Sequence, residues 1–248
     1  MRLLAFDTST DTLYLAVTGP EGPITEQLPG GAHASAALIP ALRGLLAQAG
    51  LTLDTLDTLD ALVFGQGPGS FTGLRTACSV AQGLAFGARG GQGLPVLPVP
   101  TLLAVAEDAR TRHGCTQVVA ALDARMDELY HAAWQWTEGS GWQSAGPLGL
   151  CAPEALAVPE GWTLAGNAVQ AYGARVAAAA TATAVPARPD AAALLRLAPT
   201  LLAQGRAVPA AEALPLYVRD KVAHTTAERA AAKAAQVTSA AAAPTAQA

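Results

Sequence analysis

A glycine-rich loop followed by a nearly uncharged helix is the sequence feature that most constrains the fold of this chain. Residues 65–73 (GQGPGSFTG) follow a short apolar run at residues 61–64, and Arg75 is the one charge in the stretch from residue 72 to 88. A surface helix of a monomer normally has a charged face, whereas a helix that is apolar or small all round is normally buried all round. The glycine-rich run at residues 87–93 ends the helix. The segment therefore predicts a buried strand, a sharp loop and a helix with neighbours on two sides.

Two helices share this lack of charge. The helix predicted over about residues 72–86 has a stripe of small apolar side chains on one side and glycine, threonine and valine on the other. The helix predicted at residues 35–49 has leucines on one face and only Arg43 as a charge, and Pro40 is expected to bend it or to mark its first turn. Side by side, they would form a flat apolar platform for pairing with another chain. Burial of both helices inside one large domain is the alternative, and the residues alone leave both open.

The glycine-rich loop and an acidic turn are the two candidates for a phosphate site. Backbone amides at a helix N-terminus attract anions, but no Gly-Lys-Ser/Thr follows the loop, and Ser70 stands where a dinucleotide motif needs its third glycine. Asp7, Thr8 and Ser9 lie between two predicted strands, where they can hold a hydrated metal ion or a phosphate. A turn that satisfies its own backbone is the favoured interpretation of these three residues.

The remaining elements predict two α/β lobes with mixed sheets, because strands and helices follow one another without strict alternation. The lobes are expected at residues 1–98 and 99–225, and the alanine-rich residues 226–248 are expected to be a disordered tail. Further strands are predicted at residues 2–6, 12–18, 24–28, 117–122, 128–136 and 162–165, and further helices at residues 101–112 and 191–204.

Composition narrows the class of protein. Hydrophobic residues make up 51% and charged residues 14%, the net charge is −4, and no basic run occurs, so a chain that binds nucleic acid by itself is not expected. The three cysteines are expected to be small buried side chains in a reducing compartment. No histidine pair has zinc-site spacing, and no apolar run has the length of a membrane span. We expect a cytoplasmic protein without a membrane contact.

Four motifs in order along the chain resemble the TsaB family, also called YeaZ. They are LAFDTS at residues 4–9, GPGSFTGLR at 67–75, ALDARM at 121–126 and LYVRDKV at 216–222. The resemblance implies an α/β fold of the actin-like ATPase (ASKHA, ribonuclease H-like) type. It also implies a non-catalytic dimerisation subunit in the synthesis of threonylcarbamoyladenosine at tRNA position 37. The implied partners are a TsaD-like catalytic subunit, a TsaE-like ATPase and a second copy of the chain, with tRNA bound only through the complex and no cofactor.

The same resemblance implies the site residues. The family's pairing surface falls on the two uncharged helices, with contacts expected from Ala37, Leu38, Leu45, Phe71, Leu74, Arg75, Cys78, Ala81, Gln82 and Ala85. A vestigial nucleotide site is expected at Asp7, Thr8, Ser9, Gly67 and Gly69.

Catalysis is not expected, because Thr101 and Val105 stand where the TsaD relatives place metal-binding histidines. The resemblance compares Asp190 with the family's metal-binding aspartate, but without the two histidines this residue has no metal site to complete. The alternative function is that of an enzyme with the same fold. It would be an ATP-dependent phosphotransferase that uses Asp7 and the loop at residues 65–73. A metalloprotease is disfavoured by the lack of paired histidines.

Overall fold

The first half of the chain forms a mixed five-stranded sheet, with strand order β3-β2-β1-β4-β5. A computed structural model describes residues 1–176 and 181–219. The first three strands form an antiparallel meander, and β1, β4 and β5 are parallel to one another. The strands are β1 (Leu3–Asp7), β2 (Thr12–Gly19), β3 (Gly22–Pro29), β4 (Ala61–Gly67) and β5 (Val96–Pro100).

Two long helices cover one face of this sheet. They are α1 (Ala34–Gln48) and α2 (Phe71–Gly87), and their leucines and alanines pack against Phe6 and Phe64 in one core. Pro40 lies inside α1 beyond its first turn. Helix α2 ends at Gly87, as the glycine run predicts, and a short 3-10 helix follows at Arg89–Gly91.

The opposite face of the first sheet is covered by helices from later in the chain. These are α3 (Thr101–His113) and α5 (Ala191–Ala203), and Leu194 and Leu197 pack there against Leu3 and Tyr14. Residues 1–218 form one compact unit, so the chain's later helices complete the core of its first sheet. The predicted lobe boundary at residue 98 stays a prediction.

The second sheet has six strands and a mixed topology, with order β11-β10-β6-β7-β8 and β9 paired to β7. Its strands follow α3 in the chain, and a short helix, α4 (Ala168–Tyr172), comes between β10 and β11. The strands are β6 (Gln117–Asp123), β7 (Leu129–Thr137), β8 (Gly141–Ser144), β9 (Gly149–Cys151), β10 (Thr163–Gly166) and β11 (Thr183–Val185).

All the strands and helices named from the sequence are found within a few residues of their predicted bounds, and the two sheets confirm the mixed α/β prediction. The sequence missed β5, β8, β9, β11 and α4. The predicted tail at residues 226–248, with the end of the motif at 216–222, lies outside the described residues. None of the helices in the described residues is long and apolar enough to cross a membrane.

Candidate functional site

Asp7 closes β1 and lies in the interior with no exposed surface. Its Oδ1 accepts hydrogen bonds from the backbone N–H of Ser9, at 2.7 Å, and from the Ser9 hydroxyl. This is the self-satisfying turn that the sequence favours. Burial raises the pKa of the Asp7 carboxyl, and the hydrogen bonds from Ser9 and Thr101 oppose that rise. The protein therefore surrounds this carboxylate with its own donors.

The glycine-rich loop lies directly on the acidic turn. The Ser70 N–H donates to the Ser9 carbonyl at 2.7 Å, and the Thr8 hydroxyl donates to the Gly73 carbonyl at 2.6 Å. A Cβ at Gly69 would stand 2.5 Å from Cβ of Ser9, and one at Gly73 would stand 1.9 Å from the Thr8 carbonyl oxygen. Glycine is needed here for close contact between two segments of the same chain. The acidic turn and the glycine-rich loop, the two halves of the expected nucleotide site, are therefore in direct contact. Each occupies the space beside the other that a ligand would need.

The start of α3 completes this cluster. The Thr101 hydroxyl is buried, donates to Oδ2 of Asp7 at 3.0 Å and accepts from the N–H of Gly67 at 3.2 Å. Gly67 has φ +115°, and a Cβ there would lie 2.7 Å from the Leu216 carbonyl oxygen. One hydroxyl thus ties the end of β1, the glycine loop and α3 together.

A strained turn projects from the second sheet near this cluster. Three consecutive residues without glycine, Arg125, Met126 and Asp127, have φ between +57° and +60°. Arg125 pairs with Asp11, beyond the acidic turn, and with Asp123 at 3.2 Å. Of these two ion pairs, Arg125–Asp123 joins neighbours in the chain and Arg125–Asp11 joins distant segments, and exposed pairs of this kind contribute little to stability.

Six of the ten residues expected at a partner surface lie in the chain's own core. Each of these side chains is at most 5% exposed, because the leucine stripe of α1 and the alanine stripe of α2 face the sheet. The six residues are Leu38, Leu45, Leu74, Cys78, Ala81 and Ala85. This corrects their assignment, since a partner cannot reach them in the folded chain. Cys115 and Cys151 are only half-buried, which corrects the expectation that all three cysteines are buried.

Apart from Arg75, the exposed side of α2 is nevertheless mostly apolar or small. Phe71 and Phe86 are 41% and 71% exposed, Ser79 and Gly83 are exposed, and Val80 is half-buried. The N-terminal half of this side, from Phe71 to Val80, lines a shallow cleft of about 470 Å³ together with Ser35 of α1. Of the other predicted contacts, Arg75 is exposed, whereas Ala37 and Gln82 are half-buried. The helix thus presents a second, partly apolar face away from its core.

An aromatic cluster forms the N-terminal end of this face. The Arg75 guanidinium lies 3.9 Å from the ring centre of Phe71, and its Nε donates to the Tyr217 hydroxyl at 3.0 Å. The rings of Phe71 and Tyr217 are 5.6 Å apart between centroids. Tyr217 was missed as a site residue, although the motif at residues 216–222 contains it. The segment is held by the Leu216 N–H, which donates to the Gln66 carbonyl at 2.7 Å.

Comparison with known proteins assigns the chain to a family. It is 32% identical over 235 residues to the tRNA threonylcarbamoyladenosine biosynthesis protein TsaB of Escherichia coli K12, covering 90% of this chain and 96% of that protein. It is 35% identical over 247 residues to the TsaB protein of Haemophilus influenzae, covering 90% and 95%. The chain belongs to the TsaB family.

Solved structures agree with this membership of the TsaB family. YeaZ from Pseudomonas aeruginosa superposes with a TM-score of 0.77 at 37% identity, covering 88% of this chain and 99% of that one. A second P. aeruginosa structure, described as an uncharacterised protein with similarity to peptidase YEAZ, has a TM-score of 0.75 at 36% identity. The fold is that of the actin-like ATPases, with two mixed sheets flanked by helices.

A family model for TsaD, tRNA N6-adenosine threonylcarbamoyltransferase, also matches residues 29–246. The three positions that the sequence resemblance compares with metal ligands, Thr101, Val105 and Asp190, have structural roles in the fold. Thr101 binds Asp7, Val105 is buried in the core beneath the second sheet, and Asp190 caps α5 by accepting from the Ala192 N–H at 2.9 Å. No group of three or more histidine, cysteine or acidic side chains in the described residues has metal-site geometry.

Proposed function

We propose that this chain is a non-catalytic subunit of the machinery that makes tRNA N6-threonylcarbamoyladenosine, and that it binds and supports a TsaD-like transferase subunit. The observation that carries this proposal is the exposed side of α2. It presents Phe71 and Phe86 beside small side chains, and Arg75 is the one charged residue of the helix. Apolar surface of this kind on a folded protein marks a contact with another protein.

The geometry of α2 suits helix pairing. Ser79 and Gly83 are one helical turn apart on the exposed side, so a partner helix can approach the backbone closely there. Phe71 and Phe86, near the two ends of the helix, supply aromatic anchors of the type that dominates binding energy at interfaces. A TsaD-like subunit and a second copy of this chain would compete for the face, and a TsaE-like ATPase would join the resulting complex.

The acidic turn supports the absence of catalysis. The Asp7 carboxylate is buried and already accepts bonds from Ser9 and Thr101. Magnesium binding would require a carboxylate that can exchange these donors for metal-bound water. An ATP-dependent phosphotransferase at this turn, the alternative of the same fold, is therefore disfavoured.

The charge of the chain supports an indirect role in tRNA binding. The net charge is −4, and phosphate contacts need clustered lysine and arginine. We infer that the transferase subunit carries most of the tRNA contact and that this chain meets tRNA only through the complex.

Reconstitution of the modification reaction tests the proposal. A mixture of TsaD-like and TsaE-like proteins, tRNA and the threonylcarbamoyl donor should form product only when this chain is added, and the rate should saturate at a fixed ratio to the TsaD-like subunit. Ser79→Arg should lower the rate at low protein concentration, whereas Thr25→Arg on the exposed edge strand β3 should not. Full activity without this chain would contradict the proposal. So would tight binding of magnesium-ATP to the isolated chain in calorimetry, together with ATP turnover.

A further inference from the structure

A separate cleft of about 330 Å³ opens between α3, α5 and the β7–β8 hairpin. Its walls include the apolar side chains of Leu103 and Leu201 and the rings of Trp136 and Trp142. The charged residues that line it are Glu107, Arg110 and Arg196. A concave, mainly apolar site with a few convergent polar groups is the usual form of a small-molecule site.

Glu107 fixes both arginines in place. Its carboxylate is buried and accepts two bonds from Arg110, through Nε and Nη2 at 3.0 Å each, and one from Nε of Arg196 at 3.0 Å. The indole N–H of Trp142 also donates to it, at 2.9 Å. Burial would raise the pKa of Glu107, but these hydrogen bonds outweigh burial and lower it. The acid is therefore ionised near neutral pH, and two positive charges share this one negative charge.

The arginines retain donors for a ligand. The side chains of Arg110 and Arg196 are 31% and 36% exposed, and Nη1 and Nη2 of Arg196 have no hydrogen-bond partner among residues 1–176 and 181–219. The Arg110 guanidinium also lies 4.6 Å from the ring centre of Trp136, which limits its movement. A planar guanidinium fork of this kind binds the two oxygens of a carboxylate or a phosphate.

We propose that this cleft binds a small organic anion, in which a carboxylate or phosphate group is attached to an apolar, planar body. The anionic group pairs with the free edge of Arg196 and with the excess positive charge of the cleft. The planar body lies between the tryptophan rings and the leucines of α3 and α5. The cleft is lined by residues other than those of the acidic turn and the exposed face of α2.

Calorimetric titration at low salt tests this assignment, with phenyl phosphate, benzoate and inorganic phosphate as probes. We expect saturable binding of phenyl phosphate or benzoate, and inorganic phosphate should bind at least about tenfold more weakly because it has no apolar body. Arg196→Lys keeps the charge but loses the fork, so it should weaken binding of the better probe by about tenfold or more. Added salt should weaken it further.

Two more variants keep the test independent of the Glu107 network. Thr200→Trp places a large side chain at the exposed mouth of the cleft and should abolish binding without removing a partner of Glu107. Arg43→Gln on α1 removes an exposed arginine elsewhere and should leave binding unchanged. The proposal is overturned if neither organic probe binds saturably. It is equally overturned if Thr200→Trp and Arg196→Lys bind the probes as the original protein does, or if inorganic phosphate binds as well as phenyl phosphate.

Discussion

The Thr101 hydroxyl donates a hydrogen bond to Oδ2 of Asp7 at 3.0 Å, although 94 positions separate the two residues in the chain. This contact joins the end of the first strand to the first residue of α3, and both residues are fully buried. Thr101, which the sequence resemblance compares with a metal-binding position, therefore has a structural role in this chain. The acidic turn is therefore a packed feature of the core.

Thr101→Val removes this hydroxyl with almost no change in volume. It leaves the Asp7 carboxylate and the N–H of Gly67 each without one partner in the interior, so the free energy of unfolding should fall by about 2–4 kcal/mol. Urea denaturation followed by circular dichroism measures the change. Thr76→Val, which removes a hydroxyl bonded to the Thr72 carbonyl on the accessible side of α2, should cost much less. Equal losses in both variants would contradict the role of Thr101.

Gly65 is irreplaceable for a steric reason. A Cβ at this position would stand 1.7 Å from Oδ2 of Asp7, so Gly65→Ala must displace either the acidic turn or β4. We expect a loss of at least about 3 kcal/mol in unfolding free energy. Gly44→Ala is the matched control, because its Cβ meets nothing within 4 Å in α1, and it should stabilise the protein by up to about 1 kcal/mol. A folded Gly65→Ala protein of unchanged stability would show that the turn is not packed as described.

Glu107 makes stability depend on pH in a defined direction. Its pKa is lowered in the folded protein, so as the pH falls the unfolded chain takes up the proton first. Its contribution is complete above the ordinary glutamate pKa of about 4.3 and is lost as the pH falls towards the folded value. Glu107→Gln should therefore cost about 2 kcal/mol or more at pH 7. The difference between the two proteins should shrink below pH 4 in denaturation experiments, and a difference that is constant with pH would refute this assignment.

The turn at Met126 predicts opposite effects for two substitutions. Met126 has φ +57° and is 49% exposed, so its side chain adds little to the core while its backbone is strained. Met126→Val places a β-branched residue in the left-handed region and should cost about 1–2 kcal/mol. Met126→Gly should leave stability nearly unchanged or raise it slightly, since glycine adopts this conformation readily. Thermal unfolding distinguishes the two, and equal effects would argue against a left-handed turn.

Much of the fold is predictable because the central elements have strong patterns. Strands β1, β2 and β4 are apolar runs ended by turn residues, and α1 has leucines on one face. The missed strand β5 contains two prolines and resembles a linker in sequence. It lies at the edge of the first sheet, where a missing N–H is tolerated. Strands β9 and β11 have three residues each, too few for a period of two to be visible.

The site was less predictable because small residues occur on both sides of α2. The alanine stripe and the glycine stripe have similar polarity, so periodicity could not say which side meets the sheet. The structure assigns Ala81 and Ala85 to the core and leaves Ser79, Gly83 and Phe86 accessible. Tyr217 reaches Arg75 only through tertiary contact, and the cleft around Glu107 combines residues from α3, β7, β8 and α5 that no local pattern joins.

The mass of the purified protein, alone and mixed with a TsaD-like subunit, tests the central claim most directly. Light scattering after size-exclusion chromatography should give a one-to-one complex with the TsaD-like subunit. Ser79→Arg should remain folded but elute as separate proteins in the mixture, while Thr25→Arg should bind as the original does. A folded Ser79→Arg protein that forms the complex with unchanged affinity, or an original protein that forms none, would contradict a partner-binding role for the exposed side of α2.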